Sequence, residues 1–443
     1  MSAHRPNLIF IVADDLGFAD LGCYGGRDAD FGAVSPVLDQ LAAGGLRFTQ
    51  GYANSPVCSP TRFALMTARW QYRLRGAAEE PINSKSKGST TLGLPPEHPT
   101  LPSLLKQAGY RTALIGKWHL GYPPAFGPLQ SGYEEFFGPM SGGVDYFTHA
   151  SNNGTHDLYE GTQEKHEEGY LTDLISQRAV DYVRRMAAGA AQGSPFFLSL
   201  HYTAPHWPWE TREDHALASD LSSNLFHLHG GNIHTYRRMI HHMDEGIGWL
   251  VHALRQSGQL DNTLIVFTSD NGGERFSDNW PLVGGKMDLT EGGIRVPWIA
   301  HWPAVIRGAG VSEQHCLTMD WSATLLALGG ANAHPDFPLD GVSLAGVLHD
   351  PARTFERPLF WRMNHRGQRA CRIGDWKYLR VDGHEYLFNI TDDARERANH
   401  ARRQPERLAQ LRQAWENWHA DMPPIPQDAT VSLGYSVRDM PQR

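Results

Sequence analysis

Short apolar runs alternate with amphipathic stretches along most of this chain. Residues 8–13, 112–115, 196–200 and 264–268 are rich in Leu, Ile, Val and Phe. Such runs suit strands buried on both faces. Between them, residues 36–43, 101–108, 171–186 and 235–254 bring apolar positions back at helical spacing. The alternation predicts an α/β fold, a large and mostly parallel sheet sandwiched by helices. Residues 329–340 are rich in Gly, Pro and Asn and read as the approach to a boundary. Beyond about Arg357 the pattern changes to closely spaced strand candidates at 359–361, 370–373, 376–379 and 386–388. These predict a small antiparallel sheet, followed by a helix over 406–419 with Pro405 at its start. The expected division is a large domain over 1–340, a small C-terminal α+β subdomain over 341–422 and a Pro-rich arm over 423–443.

Composition narrows the functional classes. At 443 residues the chain exceeds what one hydrophobic core usually serves. Its formal charge is −8 and no basic stripe stands out, so a nucleic acid is not an expected partner. The apolar run at 8–13 is too short to cross a membrane. Two acids follow it instead of a small-residue cleavage site, so it does not read as a signal peptide. As it stands the sequence reads as cytoplasmic, or as periplasmic or secreted if a leader was removed ahead of Met1. The four cysteines, Cys23, Cys58, Cys316 and Cys371, lie far apart without a C-x-x-C pair. Neither a disulfide framework nor a zinc knot is expected.

Ligands of open parallel sheets gather beyond the carboxyl ends of the strands. Four expected strand ends carry polar groups here. Asp14 and Asp15 follow the first run, Lys117 and His119 the second, and His201 and His206 the third. Asp270 and Asn271 follow the fourth, with Lys286 beyond. Asp14, Asp15, Asp270 and Asn271 form an all-oxygen set suited to a hard cation such as Ca2+ or Mg2+. An Asp pair after one strand is equally a helix cap or a turn. Two acidic strand ends in one chain favour the metal. The segment Cys58-Ser59-Pro60-Thr61-Arg62 places a thiol and a cation at the expected start of a helix, whose N–H groups favour anions. Taken alone, Cys58 reads as a small buried hydrophobe.

Cys58-Ser59-Pro60-Thr61-Arg62 resembles the C-x-P-x-R signature of the formylglycine-dependent sulfatases. The likeness continues through Leu65, Thr67 and Arg69, with Ala68 where a glycine is usual. The stretch from Gly109 to Gly121, which carries Lys117 and His119, is similar to the second signature of that family. Tyr202 to Pro208 resembles its segment with a substrate-facing histidine, here His206. Gly284-Gly285-Lys286 resembles the segment with its second active-site lysine. The resemblance covers nearly the whole chain and points to the arylsulfatase and N-acetylgalactosamine-6-sulfatase branch of the alkaline-phosphatase-like superfamily.

It implies hydrolysis of an aryl or carbohydrate sulfate monoester to alcohol and inorganic sulfate. Cys58 would be oxidised to formylglycine by a maturating enzyme, and its hydrate would supply the nucleophile. Cys58 would join Asp14, Asp15, Asp270 and Asn271 around a divalent metal, Ca2+ by the resemblance and Mg2+ as the alternative. Arg62, Lys117 and Lys286 would surround the sulfate oxygens. His206, with Lys286, would protonate the departing alcohol, and His119 would take the proton whose loss regenerates the aldehyde. Ser141 and Asp145 would line the pocket.

Rival readings are a phosphate or phosphonate monoesterase with the same pocket and a thiol enzyme with Cys58 unmodified. The chain holds 23 histidines, and His227, His229, His234, His241 and His242 could suggest zinc. No H-E-x-x-H pattern accompanies them, so a helix with solvent-facing histidines is preferred. Trp207, Trp209, Tyr146, His149 and His156 are the candidates for a substrate mouth. A small or terminal sulfate ester suits a chain without a basic stripe. The terminal arm could cross to another subunit and make a homo-oligomer.

Overall fold

The apolar run that opens the chain becomes the middle of its main sheet. Strand Asn7–Ala13 is buried at every residue and lies parallel between Phe196–His201 and Thr263–Ser269. A computed structural model describes residues 5–26, 32–151, 153–221 and 230–433. Arg111–Gly116 and Glu135–Gly138 extend the parallel set beyond Phe196–His201. On the other side Trp298–His301 runs antiparallel to Thr263–Ser269, and Leu46–Phe48 and Gly310–Ser312 follow it. The short strands Tyr159–Glu160 and Gln163–Glu164 close the far edge of a sheet of ten strands. Each of the four runs singled out in the sequence is a strand, longer by one residue at one or both ends. The antiparallel Trp298–His301 and the three-residue Leu46–Phe48 were not anticipated, because such short segments show no period.

Residue alternation divides the core. Ile9 and Ile11 face one layer, with Leu198, Leu200 and the buried sides of helices Leu171–Ala191 and Ile233–Gln256. Leu8, Phe10 and Val12 face the other, with Phe63, Leu105, Trp321 and Leu325 from helices Cys58–Thr67, Leu101–Gln107 and Thr318–Gly329. The sandwich expected from the sequence is therefore the observed one. Among the described residues no helix is long and apolar enough to cross a membrane.

The second sheet is a meander of Leu359–Arg362, Arg369–Ile373, Trp376–Val381 and His384–Asn389, each antiparallel to the next. Cys371, Tyr378 and Leu387 meet Leu408, Leu411 and Trp415 of helix Pro405–Ala420. Trp361, Ala370, Leu379 and Phe388 pack instead with Tyr52, Val57, Cys58, Met287 and Leu289. The small sheet thus backs the two loops that carry Cys58 and Lys286. Trp361 adds a hydrogen bond from its indole N–H to Ala53 O at 2.9 Å. Beyond residue 340 the chain first completes the large core, through Leu344, Val347 and Leu348. The small sheet begins only at Leu359. The division into a large domain over 1–340, a small subdomain over 341–422 and an arm over 423–443 remains our proposal. Of the arm, 434–443 lies outside the described residues.

Candidate active site

Register brings the strand ends together. Val12 and Gly116 both pair with His201, and Ala13 pairs with Ser269. The next residues, Asp14, Lys117 and Asp270, therefore leave the sheet at one edge. The Lys117 ammonium bonds Asp14 Oδ2. Asp15 Oδ1 accepts from Asn271 Nδ2 at 2.7 Å, and Asp15 Oδ2 accepts from Lys286 Nζ at 2.6 Å.

Cys58 enters from helix Cys58–Thr67. Val57 is extended, and the Thr61 hydroxyl closes the turn by bonding both Ser55 N (3.0 Å) and Ser55 O (2.9 Å). The helix begins at Cys58 itself rather than at Pro60, so residue 58 sits within the first turn and its field of unpaired N–H groups. One turn later Arg62 donates to Asp270 Oδ2 through Nε (3.1 Å) and Nη2 (2.8 Å) and to Lys117 O at 3.2 Å. Ala68, at the position where the signature has glycine, ends the helix at φ 53°. The departure is one of backbone conformation, since a side chain there tolerates the left-handed region poorly.

The oxygens of Asp14, Asp15 and Asp270 lie within 4.8 Å of one another, as do ligand atoms of Asp14, Cys58 and His206. All are buried. Asp14 Oδ1 and Asn271 Oδ1 are buried without a hydrogen-bond partner. Burial and the Asp270 carboxylate push Asp14 well above the usual carboxylate range, against the pull of Lys117 and Arg62. Orphaned oxygens beside three crowded carboxylates fit a hard divalent cation. These residues could hold one.

The imidazoles have defined orientations. His206 Nδ1 lies 2.6 Å from Trp207 O, and His119 Nε2 lies 2.7 Å from Ile82 O. A carbonyl only accepts, so each of those nitrogens carries the proton. His206 Nε2 is left facing Asp15 Oδ2 at 3.5 Å, and His119 Nδ1 is left buried without a partner. Burial holds both rings well below the ordinary imidazole pKa, helped by Lys286 at His206 and Lys117 at His119. Glycines roof them closely. A Cβ on Gly142 would stand 2.5 Å from His119 Cε1, and one on Gly143 would stand 3.0 Å from His206 Cε1.

Of the eleven residues expected at the strand ends and at the helix start, ten gather here: Asp14, Asp15, Cys58, Arg62, Lys117, His201 (Nδ1 3.3 Å from Arg62 Nη1), His206, Asp270, Asn271 and Lys286. His119 stands beside them under Gly142. Several outer expectations are corrected. The Ser141 hydroxyl bonds Asp157. Asp145 is fully buried and accepts from Phe147 N (3.0 Å) and Thr148 N (2.7 Å), so its carboxylate shapes its own loop. Tyr146, His149 and Trp209 are core residues and cannot form a mouth. Tyr146 spends its hydroxyl on His206 O at 2.8 Å. Trp207 and His156 remain partly exposed. Of the helical histidines, His234 is exposed, but His242 is buried against Tyr170. His227 and His229 lie outside the described residues. All four cysteines are free thiols.

Three participants were missed. Glu274 stands 3.5 Å from Lys286 Nζ and accepts from Trp207 Nε1 at 3.2 Å. Asp157 accepts from Ser141 N at 2.9 Å and Met140 N at 3.2 Å, holding the strap over both histidines. Ile82 acts through its backbone, which no side-chain pattern reveals.

Comparisons with known proteins agree with this geometry. The family model described as Sulfatase matches residues 6–331. The chain is 32% identical over 393 residues to N-acetylgalactosamine-6-sulfatase from Homo sapiens, a match spanning 84% of this chain and 71% of that protein. It is 33% identical over 415 residues to arylsulfatase A from Homo sapiens, across 85% of this chain and 75% of that protein. The solved structure of Ps i-CgsB in complex with k-i-k-neocarrahexaose superposes with a TM-score of 0.82 at 32% identity, covering 95% of this chain and 94% of that one. Phosphonate monoester hydrolase of Agrobacterium radiobacter shares the fold, with a TM-score of 0.64 at 19% identity and coverage of 94% of this chain and 96% of that one.

Proposed function

This chain belongs to the sulfatase family and hydrolyses sulfate monoesters, and we propose that its substrate is a terminal sulfate ester on a small saccharide. The observation that carries the reading is the buried cup in which Arg62, Lys117 and Lys286 converge on the oxygens beside Cys58. The names of the relatives, N-acetylgalactosamine-6-sulfatase and a protein in complex with k-i-k-neocarrahexaose, support a sugar. The overall charge of −8 argues against a long polyanion.

Asp14, Asp15, Asp270, Asn271 and residue 58 would hold the divalent metal, for which Ca2+ is our choice. Bound there, the metal supplies Lewis acidity and charge for the sulfate oxygens. Conversion of Cys58 to formylglycine by a maturating enzyme supplies a hydrated aldehyde in place of a thiol. Burial pushes the unmodified thiol up to about 12, so it would keep its proton and make a poor nucleophile.

The remaining work falls to groups in view. Arg62 and Lys117, rigidly paired to Asp270 and Asp14, orient the anion and offset its charge in a dry site. His206 and Lys286 flank the side where the alcohol departs. There the Lys286 ammonium, 2.6 Å from Asp15 Oδ2, is the proton donor in place, and His206 turns Nε2 to the same carboxylate at 3.5 Å. His119 offers Nδ1 as a base, since Ile82 O fixes its proton on the other nitrogen. Gly142 and Gly143 exclude water above both rings.

The test is a panel of sulfated sugars, aryl sulfates and aryl phosphates on enzyme whose residue-58 peptide has the mass of an aldehyde. A sugar sulfate should be the best substrate, and Cys58→Ala should turn nothing over. Preference for the phosphate ester, or wild-type turnover in Cys58→Ala, defeats the reading.

A further inference from the structure

The described part of the C-terminal arm ends beside the catalytic cup. Glu80 N donates to Thr430 O at 2.9 Å, and Ser432 N donates to Glu80 O at 3.0 Å. The Ser432 hydroxyl donates to Pro81 O at 2.9 Å, and Thr430 N donates to Glu79 Oε2 at 3.1 Å. Arm residues 430–432 therefore lie along 79–81 as an added strand would. From the other side the small subdomain grips the same segment. Glu80 carboxylate oxygens accept from Asn364 N at 2.7 Å and His365 N at 2.8 Å.

The next residue, Ile82, is 1% exposed and faces the chemistry with both of its backbone groups. Its N–H donates to Ser59 Oγ at 2.9 Å, adjacent to Cys58. Its carbonyl lies 2.7 Å from His119 Nε2 and selects the tautomer that leaves Nδ1 open. Ile82 thus ties the 79–82 segment both to the nucleophile's neighbour and to the base.

We propose that the arm is a positioning element of the active site, with Thr430 and Ser432 acting through Ile82 on His119 and on the start of the Cys58 helix. This rests on the reading of His119 as the base. The arm touches neither substrate nor reacting atoms. It adds a second restraint to a segment that the small subdomain holds from the other side through the Glu80 carboxylate. A displacement of about 1 Å in such a segment is enough to cost two orders of magnitude in rate.

The experiment uses two variants, deletion of 426–443 and Ser432→Pro, which removes both the N–H given to Glu80 O and the hydroxyl given to Pro81 O. Turnover is normalised to the fraction of residue 58 converted. In both, kcat should fall about 10-fold or more while KM stays within about twofold, the pattern of lost alignment rather than lost binding. Amide exchange of a peptide spanning 79–84 should rise in both. A synthetic peptide of residues 423–443 should restore kcat to the deletion variant. If the deletion does not fold, Ser432→Pro decides. Unchanged kcat, a change confined to KM, or lost kcat without faster exchange around Ile82 overturns the proposal. The exchange measurement needs no turnover, so it still reads the arm if the assigned chemistry fails.

Discussion

Lys286 and Asp15 stand 271 positions apart in the chain and 2.6 Å apart in the fold. The pair is buried, and it joins the segment after the first strand to a loop that the small subdomain packs from behind. Lys286→Met leaves the Asp15 carboxylate with Asn271 Nδ2 at 2.7 Å and His206 Nε2 at 3.5 Å, and removes a cation from the cup. We expect kcat/KM to fall about 100-fold or more, as when a preorganised donor is removed from a dry site. Steady-state kinetics on an aryl sulfate measures it, and a loss under threefold would dismiss Lys286 from the reaction.

Chelation should abolish turnover, and Ca2+ should restore it. The same treatment should lower the thermal midpoint, because an ion bound to the folded state alone stabilises by mass action and relieves the crowding of Asp14, Asp15 and Asp270. Calorimetry before and after dialysis against chelator gives the shift. Full activity and an unmoved midpoint after exhaustive chelation would rule the metal out.

Gly142→Ala should fold and turn over poorly. The new Cβ would come 2.5 Å from His119 Cε1, closer than real contacts allow, so the ring or the strap must move. The expected loss in kcat is about 10- to 100-fold, with a midpoint close to wild type. Wild-type kcat would show that the strap yields without disturbing His119.

Glu210 provides a pH signature remote from the metal ligands. It is fully buried, and burial together with the Asp145 carboxylate pushes its pKa up to about 9. An unfolded Glu titrates near about 4.3, so between the two values the native state holds a proton that the unfolded chain has lost. Stability should therefore fall as pH rises toward about 9, by at most about 1.4 kcal/mol per pH unit. Glu210→Gln mimics the protonated form and should flatten that slope. Urea unfolding from about pH 6 to about pH 9 makes the comparison. Parallel slopes in the two proteins would contradict a native-state proton on Glu210.

The strands, the long helices and the C-terminal meander were legible because each repeats a simple period. Asn7–Ala13 is wholly apolar, and Ile233–Gln256 keeps an apolar stripe. The site was legible because its residues sit at strand ends and within specific signature segments. The outer pocket was misread. Tyr146, His149 and Trp209 look like loop aromatics in one dimension, yet long-range packing buries them. His242 likewise reads as solvent-facing by its spacing, yet Tyr170 covers it.

Residue types and spacings alone determined the fold class, the family resemblance and the inventory of charged groups, since periodicity and short motifs are local properties. Tertiary structure alone decided which atoms meet. Strand register put Asp14, Lys117 and Asp270 at one edge, and the docked small sheet pressed Cys58 and Lys286 toward them. The backbone of Ile82 oriented His119. Those contacts join segments far apart in the chain through main-chain and packing geometry, and no local pattern of side chains encodes it.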